Sequence, residues 1–317
     1  MPSKFTSKYS PPTLLFNRHL ETIYPALFRK VVLPEYEEER ITTPDADFLD
    51  LFWLKKKSSS LVIISHGLEG NAQRAYIKGM AKAFYDQGFD TLAWNYRGCG
   101  EEINKQLRFY HSGATDDLET VINHASTEYQ NIFLIGFSLG GNLTLKYLGE
   151  KGNQLNPTIK KAVTFSVPME LHCSCKEISK PANWAYSNRF LKSLKKKVIA
   201  KAKLFPELKT DKLETIKSLI EFDDHYTAPV HGFKNAIDYY QKCSSLYFLP
   251  TIKIKTLIVS AQNDPFLSQE CFPDLSNHSF VKLESPARGG HVGFAQFNEN
   301  GLYWSELRAL KFITTND

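Results

Sequence analysis

At 317 residues the chain can hold one large α/β domain with an insertion, or two ordinary domains, and its 42% hydrophobic content lies far above that of disordered chains. A net charge of +5 is too small to argue for nucleic acid, and no RNP, zinc-finger or basic-arm pattern accompanies it. The five cysteines are odd in number, and the one close pair, Cys173 and Cys175, lacks the two-residue spacing of zinc knuckles, so a reduced compartment without a metal is expected.

The first thirty residues, MPSKFTSKYSPPTLLFNRHLETIYPALFRK, contain no long apolar core. Neither a signal peptide nor a membrane span is expected, and the protein reads as soluble and cytoplasmic. ERITTPDADFLDLFWLKK (39–56) alternates apolar and polar residues and predicts an antiparallel sheet edge. SLVIISHG (60–67) is a continuous apolar run, the mark of a strand buried on both faces. A helix follows over 73–87, with Ile77, Met80, Ala81 and Phe84 on one face, and then a second buried strand, FDTLAWNYRG. Thr115 beside Asp116 and Asp117 predicts an N-cap for the helix DDLETVINHAS. NIFLIGFS predicts the third strand, with a helix after it carrying Leu143, Leu145, Tyr147 and Leu148. KKAVTFSVP, KTLIVSAQND and a short HSFVKLE predict three more. Strands alternating with helices imply an α/β fold, a mainly parallel sheet covered by helices on both faces.

One gap breaks the alternation. Residues 172–250 are rich in lysine and helical patterning, as in NRFLKSLKKKVIAKAKLF and GFKNAIDYYQKC, and are too long for an ordinary crossover. They predict a helical cap inserted between core strands, at the sheet edge where ligands of open α/β sheets sit.

Gly136-Phe137-Ser138-Leu139-Gly140 matches G-x-S-x-G in the required context, strand before and helix after. Glycines two before and two after the serine permit a turn too sharp for side chains, and that turn lifts the hydroxyl above the sheet. The bland alternative is a small-residue turn with no chemistry. A serine hydroxyl needs a base and an orienting carboxylate, which in sheets of this kind follow in the order Ser, Asp, His at strand ends. Asp264 ends the fifth strand, where Pro265 turns the chain away, and His291 lies in the glycine-flanked loop ARGGHVGF. Ser138, Asp264 and His291 are therefore the candidate triad. His278, His225, His231 and Asp274 are the weaker rivals. His66-Gly67-Leu68-Glu69-Gly70 closes the first parallel strand, and the N–H groups of Leu68 and Leu139 are the candidate oxyanion donors. His66 reads as a scaffold for that loop, and Glu69 as solvated or structurally paired.

Taken together, NRHLETIYPALF, HGLEG, NYRGCG, FYHSGATDDL, GFSLGGN, FDDHYTAPVHGF with DYY, DPF and GGHVGF resemble the α/β-hydrolase superfamily, and more closely its YheT-like esterase branch, over nearly the whole chain. The resemblance implies Ser138 as nucleophile, Asp264 as acid and His291 as base. It further implies hydrolysis of short- to medium-chain acyl esters through an acyl-enzyme, with no cofactor and no metal. Relatives acting on phospholipids, or passing acyl groups to alcohols, keep those two alternatives open, and a non-catalytic ligand receptor on the same fold is a third. Eukaryotic members often carry an N-terminal membrane anchor, which is not expected here. Serine at the elbow argues against dehalogenase or epoxide-hydrolase chemistry, which uses a carboxylate nucleophile.

The lysines at 192, 195, 196, 197, 201 and 203 interleave with Leu191, Leu194, Val198 and Ile199. Such a helix can lie on an anionic membrane surface, but it reads first as a cap helix with a solvated lysine face. The FDDHYTAP segment and the cap aromatics read as structural, with a pocket-lining role as the sharper alternative. Cys99 reads as a loop cysteine without chemistry. The partner expected is a small-molecule or lipid ester.

Overall fold

The computed structural model describes residue 7 and residues 9–315. Residues 1–6 and 8, part of the stretch where no leader is expected, lie outside the described residues.

Eight strands form one sheet in the order β1-β2-β4-β3-β5-β6-β7-β8. The alternating segment near the start becomes the antiparallel hairpin β1 (Glu37–Thr42) and β2 (Phe48–Leu54), which closes one edge by pairing with β4 (Asp90–Asn95). The other strands run parallel: β3 (Ser60–Ser65), β5 (Asn131–Phe137), β6 (Ile159–Phe165), β7 (Lys255–Val259) and β8 (Val281–Glu284).

The period of two along each buried run divides its residues between two cores. Leu61, Ile63, Leu92 and Leu134 point to the layer of α3 (Thr115–Ala125) and α4 (Leu139–Lys151), where they meet Leu118, Val121 and Leu143. Val62, Ile64, Ala93 and Ile135 point to the opposite layer of α2 (Ala75–Asp86) and α10 (Trp304–Thr314), where Ile77, Met80, Phe84 and Phe312 cover them. Full burial of each such aliphatic side chain is worth about 1.5–3 kcal/mol, which explains the apolar runs at the centres of these strands. The fold is the expected mainly parallel sheet with helices on both faces.

Between β6 and β7 the chain is helical: α5 (Leu171–Ile178), α6 (Trp184–Ala202), α7 (Leu219–Phe222) and α9 (Ala236–Cys243). A π-helical turn, Asp223–Thr227, joins α7 to the short α8 (Ala228–Val230). This insertion has two small apolar cores of its own, one around Leu191, Val198, Leu219 and Phe222, the other around Leu171, Ala236, Tyr239 and Tyr240. Asn142, fully buried in α4, ties it down: its amide donates to the carbonyls of Ser112 and Cys243 and accepts from the Ser245 N–H.

Two expectations need correcting. Thr115 is the first residue of α3 rather than its N-cap, because its hydroxyl donates to Glu150 on α4 instead of serving the helix start. The lysine run is not a uniformly solvated face either. Lys192, Lys196 and Lys203 are exposed, but Lys197 pairs with Glu69 at 2.7 Å, and buried Lys201 donates to the carbonyls of Asn104 and Gln106. Two of the six lysines therefore fasten α6 to the loops beneath it.

Candidate active site

Strand β5 ends at Phe137, and the chain turns into α4 within one residue. Ser138 takes φ 52°, ψ −119°, a conformation that L-residues enter only under constraint. A Cβ on Gly136 would overlap the Gly140 carbonyl, and one on Gly140 would overlap the carbonyls of Ser65 and His66, so both glycines are required by contact. The turn is held by the Ser138 N–H, which donates to the Phe165 carbonyl at 2.8 Å, and by the first helical bond from the Asn142 N–H to the Ser138 carbonyl.

The Ser138 hydroxyl lies 2.9 Å from His291 Nε2, and His291 Nδ1 lies 2.9 and 3.1 Å from the two carboxylate oxygens of Asp264. Residues 153 and 27 positions apart thus meet in one chain of hydrogen bonds. The Asp264 side chain is fully buried, and its Oδ1 also accepts from the Phe266 N–H at 2.9 Å. The Phe266 ring packs against the imidazole, with centroids 4.3 Å apart, and so fixes its plane. Thr22 Oγ1 accepts from the His291 N–H, and Ser166 Oγ from the Val292 N–H, both at 2.9 Å.

The loop after β3 is equally constrained. His66 is fully buried; its Nδ1 donates to the Gly67 carbonyl at 2.8 Å, and its Nε2 accepts from the Tyr96 N–H at 3.3 Å. Burial pushes its pKa down to about 3, so the ring is a neutral brace. Glu69, with φ 54°, is paired rather than solvated: its carboxylate accepts from Tyr110 OH at 2.6 Å, from Lys197 and from Ser193. Leu68, Leu139 and Ser138 line one cavity of about 90 Å³, several times the roughly 10–15 Å³ that one water requires. Among the described residues, neither the Leu68 nor the Leu139 N–H has a hydrogen-bond partner.

The rivals fall elsewhere. His278 is bound to the Leu249 carbonyl and to the N–H groups of Phe280 and Val281. His225 is exposed, and His231 sits between the backbones of Thr227 and Phe109. Asp274 is exposed and accepts from the Ser276 N–H. Cys99 is buried 3.1 Å from Lys197, and burial pushes its thiol up to about 11.

Sequence reasoning missed the groups that hold the two loops in place. Glu21, buried in α1 (Arg18–Phe28), accepts from Asn263 Nδ2 at 2.7 Å, from the Gly289 N–H at 2.9 Å and from Arg288 Nε at 2.8 Å. Asn263 Oδ1 in turn accepts from the Gly290 N–H. The available signal was a glutamate four residues before Pro25, on the helix face that turns inward. FDDHYTAP also comes closer than a purely structural segment, since Asp223 and Thr227 line the Ser138 cavity together with Tyr239 and Tyr240.

Comparison with known proteins places this geometry in a lineage. Residues 56–278 match the model of the Hydrolase_4 family, described as "Serine aminopeptidase, S33". The chain is 32% identical to the Escherichia coli protein called "Putative esterase YheT", over 98% of this chain and 94% of that one. It is 28% identical to "Phospholipase ABHD3" of Bos taurus, over 92% of this chain and 74% of the relative. The solved structure of the Pyrococcus furiosus esterase Pf2001, 18% identical, superposes with a TM-score of 0.59 and covers 99% of this chain and 98% of that one. Among the described residues no helix is long and apolar enough to cross a membrane. Full-length similarity, a family match across most of the sheet and the shared architecture lead to one conclusion: the chain belongs to the α/β-hydrolase superfamily, in its Hydrolase_4 family and YheT-like branch.

Proposed function

We propose that the protein is a serine esterase that cleaves short- to medium-chain carboxylic esters, with Ser138 as nucleophile, His291 as base and Asp264 as the carboxylate that orients it. The observation that carries this reading is the 2.9 Å contact from Ser138 Oγ to His291 Nε2, with Asp264 on the other ring nitrogen. Nδ1–H donates to Asp264, which leaves Nε2 with a lone pair aimed at the hydroxyl proton. As Oγ attacks the ester carbonyl, His291 takes that proton, and Asp264 stabilises the imidazolium. The Leu68 and Leu139 N–H groups receive the charge that develops on the carbonyl oxygen; losing one such donor typically costs on the order of 100- to 1000-fold in rate. His291 returns its proton to the departing alkoxide, and water then attacks the acyl-enzyme with the same base. The helices of 172–250 serve as a cap over the acyl pocket.

A fluorophosphonate probe is expected to label the wild type and to leave Ser138→Ala unlabelled. Nitrophenyl esters from acetate to decanoate are expected to show a maximum at short to medium chain length. Undiminished ester hydrolysis by Ser138→Ala would sink the nucleophile assignment. Similarity to a phospholipase favours a second reading, cleavage of phospholipid acyl esters by the same triad. Labelling without turnover of the nitrophenyl series, together with fatty-acid release from phospholipid, would select it.

A further inference from the structure

The reaction outlined above leaves one half-buried carboxylate on the wall of the Ser138 cavity without a part. Asp223 opens the π-helical turn, in which the Ala228 N–H reaches back to the Asp223 carbonyl. Such wide turns are rare and recur at functional sites. Its Oδ1 accepts from Thr227 Oγ1 and its Oδ2 from Tyr240 OH, both at 2.6 Å. Among the described residues no cation pairs with it, and burial pushes its pKa up to about 6. A carboxylate held without a counter-charge is costly, and each of its oxygens still has a lone pair to offer.

His111 lines the same cavity. Its Nδ1 accepts from the Gly113 N–H at 3.2 Å, which places the ring proton on Nε2. Burial, reinforced by His231, Arg108 and Lys146, keeps this imidazole neutral. Among the described residues nothing accepts from its Nε2–H. Tyr239 lines the cavity as well, its ring 5.8 Å from His111 and 5.2 Å from that of Tyr240, the residue that donates to Asp223. The cavity thus holds a donor in need of an acceptor and an acceptor with spare capacity. A plain alkyl chain would leave the His111 Nε2–H unpaired and the Asp223 charge without a further donor, each at a desolvation cost. An ammonium group would serve Asp223 alone. Hydroxyl groups, at once donors and acceptors, serve both.

We propose that His111 and Asp223 form a hydroxyl-binding subsite in the Ser138 cavity, and that the substrate is an ester carrying a free hydroxyl. A substrate hydroxyl donates to Asp223, and a substrate hydroxyl oxygen accepts from His111 Nε2–H. The subsite rests on the esterase reading of Ser138. Its test compares kcat/KM for ethyl octanoate, ethyl hydroxyoctanoates, glycerol 1-octanoate and octanoylcholine. At least one hydroxylated ester is expected to exceed ethyl octanoate by roughly tenfold or more, because a site built for a hydroxyl discriminates strongly against the analogue lacking it. Which one does so tells whether the hydroxyl belongs to the acyl or the alcohol half. The ratio is expected to fall to about one in Asp223→Asn and in His111→Phe, each verified as folded by fluorophosphonate labelling. A wild-type ratio near one, a ratio that survives both substitutions, or preference for octanoylcholine would overturn the subsite while labelling stays intact. Absence of labelling in the wild type would remove the esterase reading itself, and the subsite with it.

Discussion

Glu21 holds the loops of the candidate triad without touching the triad itself. Its carboxylate is buried, yet every hydrogen bond it accepts among the described residues comes from the two loops that carry Asp264 and His291: Asn263 beside the one, Gly289 and Arg288 beside the other. Its neighbour Thr22 accepts from the His291 N–H itself. The 2.9 Å contact between Ser138 and His291 is therefore set from α1, more than a hundred residues away in sequence. Glu21→Gln keeps the shape but loses the charge opposite Arg288, and one of its two heads becomes a donor facing donors. In steady-state kinetics on a nitrophenyl ester, kcat is expected to fall about 10- to 100-fold with KM nearly unchanged, since displacements of about 1 Å at a reacting pair cost on that order. Glu21→Asp, which keeps the charge, is expected to recover part of kcat. Loss of stability with kcat intact would reduce Glu21 to a purely structural role.

At the scale of elements, α6 and the loop after β3 act as one unit. Lys197 of α6 lies 2.7 Å from Glu69 and 3.1 Å from Cys99, and Ser193 of the same helix donates to Glu69. The candidate oxyanion loop is thus latched to the insertion by a largely buried ion pair. Removing one partner of such a pair strands the other, at a cost of about 3–5 kcal/mol when fully buried, whereas removing both is far cheaper. Lys197→Met is expected to lower unfolding free energy in urea by about 2–4 kcal/mol, and addition of Glu69→Gln to restore part of it. Strictly additive effects of the two substitutions would show that the latch is not coupled. This latch also marks where sequence reading stops. Lys197 and Lys201 stand among exposed lysines at the spacing of a solvated face, and their inward partners, Glu69 and the carbonyls of Asn104 and Gln106, come from distant loops that no local pattern announces. Strands β3 to β7 were readable for the opposite reason: burial on both faces forces a continuous apolar run, which is a local property. The candidate triad was readable because strand ends and glycines mark the elbow and the His291 loop. Glu21 was not, because a charged residue in a first helix looks like surface until its partners are known.

The whole molecule responds to acid through its buried ionisable groups. His66 is held neutral, its pKa pushed by burial from 6.5 down to about 3, and His111 is shifted in the same direction. Below pH 6.5 the unfolded chain binds protons that the folded chain refuses, so stability is full above that pH and is lost as pH falls. For His66 alone the loss at pH 5 is about 2 kcal/mol, and His111 adds to it. Asp223 acts in the opposite sense. Its pKa is raised from 3.8 to about 6, so the folded state takes up a proton before the unfolded one and regains roughly 1 kcal/mol between pH 6 and 5. Asp45, held down at about 2, with Arg97 as its charge partner, contributes only to losses below pH 4. The imidazoles outweigh Asp223, so urea midpoints are expected to hold from pH 8 to about pH 7 and to drop from there to pH 5. Asp223→Asn lacks the offsetting proton, and its midpoint is expected to fall more steeply than the wild type's below pH 6. A flat or rising midpoint across this range, or parallel curves for the two proteins, would contradict burial of these groups in the folded state. The same measurement bears on the cavity, because a carboxylate that takes up its proton near pH 6 is one that no cation among the described residues neutralises, and its remaining lone pairs are left for a substrate to meet.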